Sequence, residues 1–237
     1  MNLRDQVAQS GAVLHHLGLV DYLGHSSARL PGADAVVVKP KHSTRTKSPE
    51  ELSGEDMSVI DLDGELLEGT ELPPAERFLH TEIYRARPDV NAIVHTHQPA
   101  ATTFGLLEAE LRPLLHVPTV LTDGARVNKW PVSALVTDRD LGRQLAAALD
   151  DAPLCHLQGH GIVSVASDIP RATVAAIALE QLAKANLDVL SSGRPAREIS
   201  REEIDSLRQS LAPIAGRWAY YLQLIGVPEI SEGRDER

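Results

Sequence analysis

The stretch Asn91-Ala-Ile-Val-His-Thr-His97 concentrates more potential chemistry than any other part of the chain. Its apolar run, Ala92-Ile93-Val94, is dominated by β-branched side chains and reads as the buried end of a strand. Side chains at i and i+2 of a strand face the same way, so His95 and His97 converge on one point. Two imidazoles held like this make half of a divalent-metal site; a third ligand would leave one position open to a substrate. The same spacing also suits two histidines satisfied by hydrogen bonds at a strand mouth. His160 stands between Gly159 and Gly161, on a tight connection able to push an imidazole into a cleft. A turn histidine with no such role is the plainer account of it. Glu76 opens a helix and shares a face of it with His80. That helix ends at Arg87-Pro88-Asp89, because proline disfavours helix at the residue before it, and delivers the chain directly to the histidine strand. A carboxylate at its start can therefore sit beside the imidazoles. Three imidazoles and one carboxylate around an open position describe a Lewis-acid site with its own general acid/base.

Two further stretches carry polar groups suited to an anion. Gly24-His-Ser-Ser-Ala-Arg-Leu30 reads as a turn into a short strand, with hydroxyls and backbone N–H groups that can receive negative charge. A plain turn explains the same composition. Lys39, Lys41, His42, Arg45 and Lys47 then crowd one loop of an otherwise acidic protein. They form either a cationic rim that attracts an anionic substrate or a solvated loop.

The elements that must position these groups follow in chain order. Leu3, Val7, Leu14 and Leu17 have helical spacing, and Gly18 is a helix stop. Ala35–Lys39 is a strand, Ser48-Pro49 starts a short helical turn, and Ser58–Leu67 is a hairpin around Asp63-Gly64. The Glu76 helix spans about Ala75–Arg87, and a short helix runs from Ala100 to before Gly105. Val117–Leu121 and Pro131–Val136 are expected to be short strands. Asp138 caps a helix with Leu141, Leu145 and Leu149 on one stripe. Leu154–Gln158 and Ile162–Val165 are strands flanking His160. A long helix follows Asp168, and a second, with its capping box at Ser200–Glu203, runs to about Leu224. The tail Glu229–Arg237 is charged and expected to fray. With no linker and no repeat, residues 1–237 read as a single domain.

The net charge of −10 argues against nonspecific nucleic-acid binding. No apolar run approaches a membrane span. The start, Met1-Asn-Leu-Arg-Asp-Gln, lacks a signal-peptide core, and the lone Cys155 excludes an internal disulfide, so a cytoplasmic setting is expected. Ten histidines against two Phe and two Trp is a skewed ratio that calls for a function.

With Glu76, His95-x-His97 and Gly-His160-Gly in this order, the chain resembles the class II aldolase/adducin family, whose archetype is fuculose-phosphate aldolase. The matching segments are Gly24-His-Ser-Ser-Ala-Arg29, Pro74-Ala-Glu76, His80-x-x-Ile-Tyr84, Arg87–His97 and Gly159-His-Gly161. The resemblance covers roughly residues 5–225 and is most specific at 87–97. It implies an α/β/α layered domain around a mainly antiparallel sheet, assembled as cyclic tetramers with sites at subunit interfaces. It implies that His95, His97 and His160 bind a divalent metal, zinc before manganese, cobalt or iron. Glu76 becomes the acid/base and a resting ligand. In the family's enzymes the metal chelates two substrate oxygens and stabilises an enolate as a carbon–carbon bond breaks.

The departures from the family bear on substrate. Where the aldolases usually carry Asn after the first Gly, this chain has His25. Their Ser-Ser before the catalytic Glu is replaced by Pro74-Ala75, and their Thr-x-Ser-Gly phosphate segment is not recognisable in Lys39–Arg45. No Tyr occurs within 113–124, where the aldolases place the one that protonates the departing aldehyde. Decarboxylation releases CO₂ and needs no such donor. The expectation is therefore a decarboxylase of a non-phosphorylated, hydroxylated aromatic acid, like the dihydroxyphthalate decarboxylases of the family. His25, Ser26, Ser27, Arg29, Lys41 and Arg45 are the candidates for holding its carboxylates. The alternatives are an aldolase acting on a hydroxy-keto acid or sugar phosphate, and a non-catalytic, adducin-like interaction module.

Overall fold

A computed structural model describes residues 2–41, 47–211 and 213–227. The charged tail expected to fray lies outside the described residues, as do His42 and Arg45. The first helix, α1 (Leu3–His16), opens with Asn2 accepting from the Arg4 N–H, and Gly18 follows it at φ 68°, a conformation glycine adopts without strain. Strands β1 (His25–Arg29) and β2 (Ala35–Val38) come next, then β3 (Ser58–Asp61) and β4 (Leu66–Glu68), the expected hairpin. Helix α2 (Arg77–Ala86) leads into β5 (Ala92–Thr96), which runs on to α3 (Pro99–Gly105). After α4 (His116–Leu121), β6 (Val127–Trp130) and α5 (Arg139–Leu149) come β7 (Leu154–Leu157) and β8 (Gly161–Ala166), followed by α6 (Ile169–Ser192), α7 (Arg201–Ser210) and α8 (Ile214–Leu224).

The eight strands form one sheet in the order β4-β3-β2-β1-β5-β8-β7-β6. Every neighbouring pair is antiparallel except β6 and β7. Strand alternation splits the apolar residues between the two faces. Val37, Ala92, Val94 and Leu154 join one core with α1, α3, α6 and α8. Val36, Val38, Ile93, Cys155 and Leu157 join the other with α2 and α5. The result is the layered α/β/α domain with a mainly antiparallel sheet that the resemblance implied.

Three elements differ from the sequence expectation. The segment 117–121 is helical, because Pro118 falls in the first turn of α4, where its missing N–H costs nothing. Pro131–Val136 is irregular; the strand is Val127–Trp130, just before Pro131, which has no N–H to give to a ladder. The last long helix is two, since Pro213 separates α7 from α8.

His156, on β7, lies on the α3/α6 face and is 2% exposed. Neither ring nitrogen has a hydrogen-bond partner among the described residues. Burial, helped by the Lys129 charge, pushes its pKa down to about 4. Between the ordinary histidine value of about 6.5 and about 4, the unfolded chain therefore takes up a proton that the folded one refuses. Stability is full above that window and is lost as pH falls through it. We expect the urea-unfolding free energy of metal-free protein to fall with acid in this range, and to fall less steeply in His156→Leu. Equal slopes for the two proteins would show that His156 is not the group responsible.

Candidate metal centre

The centre is built at the end of the sheet's middle strands. His25 pairs directly with His95 across β1 and β5, and His95 pairs with Val163 across β5 and β8. Both histidines face the α2 side of the sheet, as Ile93 does, and His97 follows His95 just beyond the strand end. His160 sits on the β7–β8 turn, between Gly159 at φ 61° and Gly161. A Cβ on Gly161 would lie 2.2 Å from the Thr96 carbonyl oxygen and 3.0 Å from His97 Cδ2, so only glycine lets the strands close here. Glu76 occupies the position that caps α2, yet its side chain makes no cap hydrogen bond. It turns inward, and Oε1 accepts the Val136 N–H at 2.9 Å.

One ligand atom each from Glu76, His95, His97 and His160 lies within 4.8 Å of the others. Glu76 Oε2 is 3.7 Å from His95 Nε2 and 3.6 Å from His160 Nε2. His95 Nδ1 bonds the Ile162 carbonyl at 2.9 Å, so that nitrogen carries the proton and Nε2 presents its lone pair. His97 Nε2 is 3.0 Å from His95 Nε2. Two nitrogens tetrahedrally bound at zinc distances are about 3.3 Å apart, close to this separation. Both ring nitrogens of the half-buried His160 are themselves shielded from water and lack a hydrogen-bond partner among the described residues, which a cation would supply. Burial lowers the pKa of both His95 and His97, favouring the neutral form that metal binding needs. Burial opposes the charged form of Glu76, but the neighbouring imidazoles, His160 foremost, and the Val136 N–H outweigh it and hold the carboxyl well below its ordinary range. These donors fit a divalent cation.

The other predicted site residues divide. His25 faces the centre, with Nε2 3.8 Å from Glu76 Oε2. Ser26 does not, because it lies on the opposite face of β1, hydrogen-bonded to Ser10 at 2.9 Å. Ser27 points the right way but is fully buried against His80 Nδ1 at 2.7 Å and Tyr84 Oη at 2.9 Å. Arg29 lies at the far end of the strand, giving its guanidinium to the carbonyls of Tyr84 at 2.6 Å and Val90 at 3.2 Å. All three spend these groups on hydrogen bonds within the protein. In the basic loop, Lys39 is buried and donates to the Tyr22 and Gly24 carbonyls, both at 2.9 Å, while burial pushes its pKa down to about 8. Lys47 pairs with Asp56 at 2.7 Å. Lys41 is exposed and lines a small cavity with Tyr22 and Lys39. Sequence reasoning passed over the backbone of 131–136, whose Val136 N–H holds Glu76. It placed His80 on the face of Glu76 without a role, and the structure bonds His80 Nε2 to His25 Nδ1 at 2.7 Å.

Residues 5–187 match the model of the Class II Aldolase and Adducin N-terminal domain. The chain belongs to this family. It is 31% identical to a 3,4-dihydroxyphthalate decarboxylase of Arthrobacter keyseri over 91% of this chain and 95% of that protein. An L-fuculose phosphate aldolase of Methanococcus maripaludis is 33% identical over 57% of this chain and 71% of its own length. An aldolase II superfamily protein from Pseudomonas syringae superposes with a TM-score of 0.80 over 94% of this chain and 91% of that one, at 20% identity, which shows the shared fold. The Glu/His cluster thus offers a divalent cation its donors on a class II aldolase-type fold. Among the described residues, no helix is long and apolar enough to cross a membrane.

Four substitutions probe the centre. His160→Ala, like His95→Ala and His97→Ala, should fold and retain well under one equivalent of metal after dialysis, measured by elemental analysis. Full occupancy in His160→Ala would take that residue out of the site. Gly161→Ala should cost about 1–3 kcal/mol by overpacking and lower Tm by several degrees, displacing His97 and weakening metal retention with it.

Proposed function

We propose that this chain is a divalent-metal-dependent decarboxylase of a hydroxylated aromatic acid of the dihydroxyphthalate type. The observation that carries this reading is the extent of likeness. The decarboxylases align over 79–91% of the chain, whereas the sugar-phosphate aldolases align over 57–66%. The local chemistry supports it. Pro74-Ala75, just before Glu76, offers no side-chain hydroxyl to a phosphate.

His95, His97 and His160 would hold the ion, with Glu76 as a resting ligand, and zinc suits three imidazoles and one carboxylate. When bound, the ion supplies Lewis acidity to adjacent substrate oxygens. Glu76 starts as a carboxylate and accepts the proton of a substrate hydroxyl. The bond between ring carbon and carboxylate then breaks, CO₂ leaves, and the electron pair stays on the ring carbon. Glu76 returns its proton to that carbon, and the product leaves as its phenolate and takes a proton from water, so protons and charge balance over the turnover. Lys41 and Arg45 are the remaining candidates for a second carboxylate. Such an enzyme belongs to aromatic-compound breakdown, takes a small anionic substrate, and is expected to work in the cytoplasm as a homo-oligomer, a tetramer or its multiple.

An aldol cleavage could use the same Glu76 and histidines, and the fuculose-phosphate aldolase relatives make it the second reading. A non-catalytic module would have no use for an intact ligand set. Glu76→Gln should keep its metal and fold while turnover drops about 10²–10⁴-fold. A panel of dihydroxyphthalates, dihydroxybenzoates and sugar phosphates, assayed for CO₂ and for aldehyde, separates the reactions. Cleavage of fuculose or ribulose phosphates with no CO₂ from any acid would restore the aldolase.

A further inference from the structure

A chain of hydrogen bonds runs from the metal centre into the core, and its protons can be placed one by one. Tyr84 Oη donates to the Ser27 carbonyl oxygen, 3.0 Å away. A phenol has one proton, so at its 2.9 Å contact with Ser27 Oγ the same oxygen accepts. Ser27 spends its hydroxyl proton there and must accept from His80 Nδ1 at 2.7 Å. His80 then carries its proton on Nδ1 and a lone pair on Nε2. Its 2.7 Å contact with His25 requires a proton on His25 Nδ1. His25 Nε2 is left with a lone pair, facing Glu76 Oε2 across 3.8 Å, too far for a hydrogen bond.

The opposite order fails at one contact. If His80 Nε2 donated to His25, the Ser27 proton would turn to His80 and the Tyr84 proton to Ser27 Oγ. Tyr84 Oη and the Ser27 carbonyl oxygen would then lie 3.0 Å apart with no proton between them. Burial disfavours the charged forms of His25 and His80 and raises the pKa of the Tyr84 phenol, which keeps its proton. What the chain fixes is which nitrogen carries the proton in a neutral imidazole.

Two acceptors, His25 Nε2 and Glu76 Oε2, thus face one space, and neither can satisfy the other. We propose that His25 Nε2 accepts a hydrogen bond from a second substrate hydroxyl, so that the site selects vicinal dihydroxy acids over monohydroxy acids and ethers. Ser27, His80 and Tyr84 are positioning residues that act through His25. The class of ligand rests on the decarboxylase reading above; the proton order does not.

The test has a spectroscopic arm and a binding arm. In zinc-loaded protein labelled with ¹⁵N-histidine, His25 and His80 should both appear as Nδ1–H tautomers. Ser27→Ala removes the acceptor for His80 Nδ1–H, so both rings should switch and put a proton on His25 Nε2. Tyr84→Phe frees the Ser27 proton to turn toward His80 and serves as the milder second variant. By calorimetry, the preference for 3,4-dihydroxybenzoate over its monomethyl ethers should shrink by about tenfold in a switched variant, because a donor then opposes the donor on the ligand. The difference between variants cancels any chelation common to both. An Nε2–H tautomer for His25 in the wild type would overturn the proposal. So would a metal-shifted Nε2 resonance, which would make His25 a ligand, or an unchanged preference in a switched variant. Failure of every dihydroxy acid to bind would sink the ligand half together with the decarboxylase reading, while the tautomers stand or fall on the spectrum alone.

Discussion

The carboxylate of Glu76 is taken out of water, and much of the surrounding structure answers the cost of that burial. An isolated buried carboxylate would take up a proton, since desolvation penalises its charged form. Here the N-terminal end of α2 supplies favourable backbone dipoles, Val136 supplies an N–H, and His160 stands within 4 Å. These partners come from three separate parts of the chain. The irregular path of 131–136 leaves the Val136 N–H free for this contact. A Val136 N–H engaged in a strand ladder could not hold Glu76 Oε1.

Precision comes from the sheet. His25 and His95 are cross-strand partners on central strands, so their ring positions are fixed by backbone hydrogen bonds rather than by loop conformation. His95 is oriented again by the Ile162 carbonyl of β8, and Gly161 lets that strand approach Thr96. A ligand set built on rigid elements loses little entropy when it closes on an ion. His160 comes from the β7–β8 turn, which the two short strands on either side confine.

Most of this was legible in the sequence wherever a local rule decided the outcome. Helix caps at Asp138 and Asp168, the hairpin at Asp63-Gly64 and the strand ending in His95-x-His97 all follow from spacing and turn chemistry. The reading failed where tertiary context overrode pattern. Val117 and Val120 suggested a strand, but Pro118 at a helix start is equally well placed. Pro213 should have broken the last helix in the reading as it does in the fold. Ser26 and Ser27 were paired as substrate ligands, although neighbours on a strand face opposite ways. The role of His80 depends on which residue β1 brings above α2, a register that one sequence does not encode locally.

Among the described residues, several cations first expected to grip a substrate are committed to the protein itself. Arg29 is committed to carbonyls, Lys39 is buried against two more, and Lys47 is paired with Asp56. A hydroxylated aromatic acid makes a different demand. Its chelating oxygens engage the metal centre, and its hydroxyl protons need acceptors, which Glu76 and the lone pair of His25 provide. Replacing the aldolases' usual Asn by His25 extends the polar chain inward to Tyr84, so recognition of a hydroxyl is set by protons buried beneath the site.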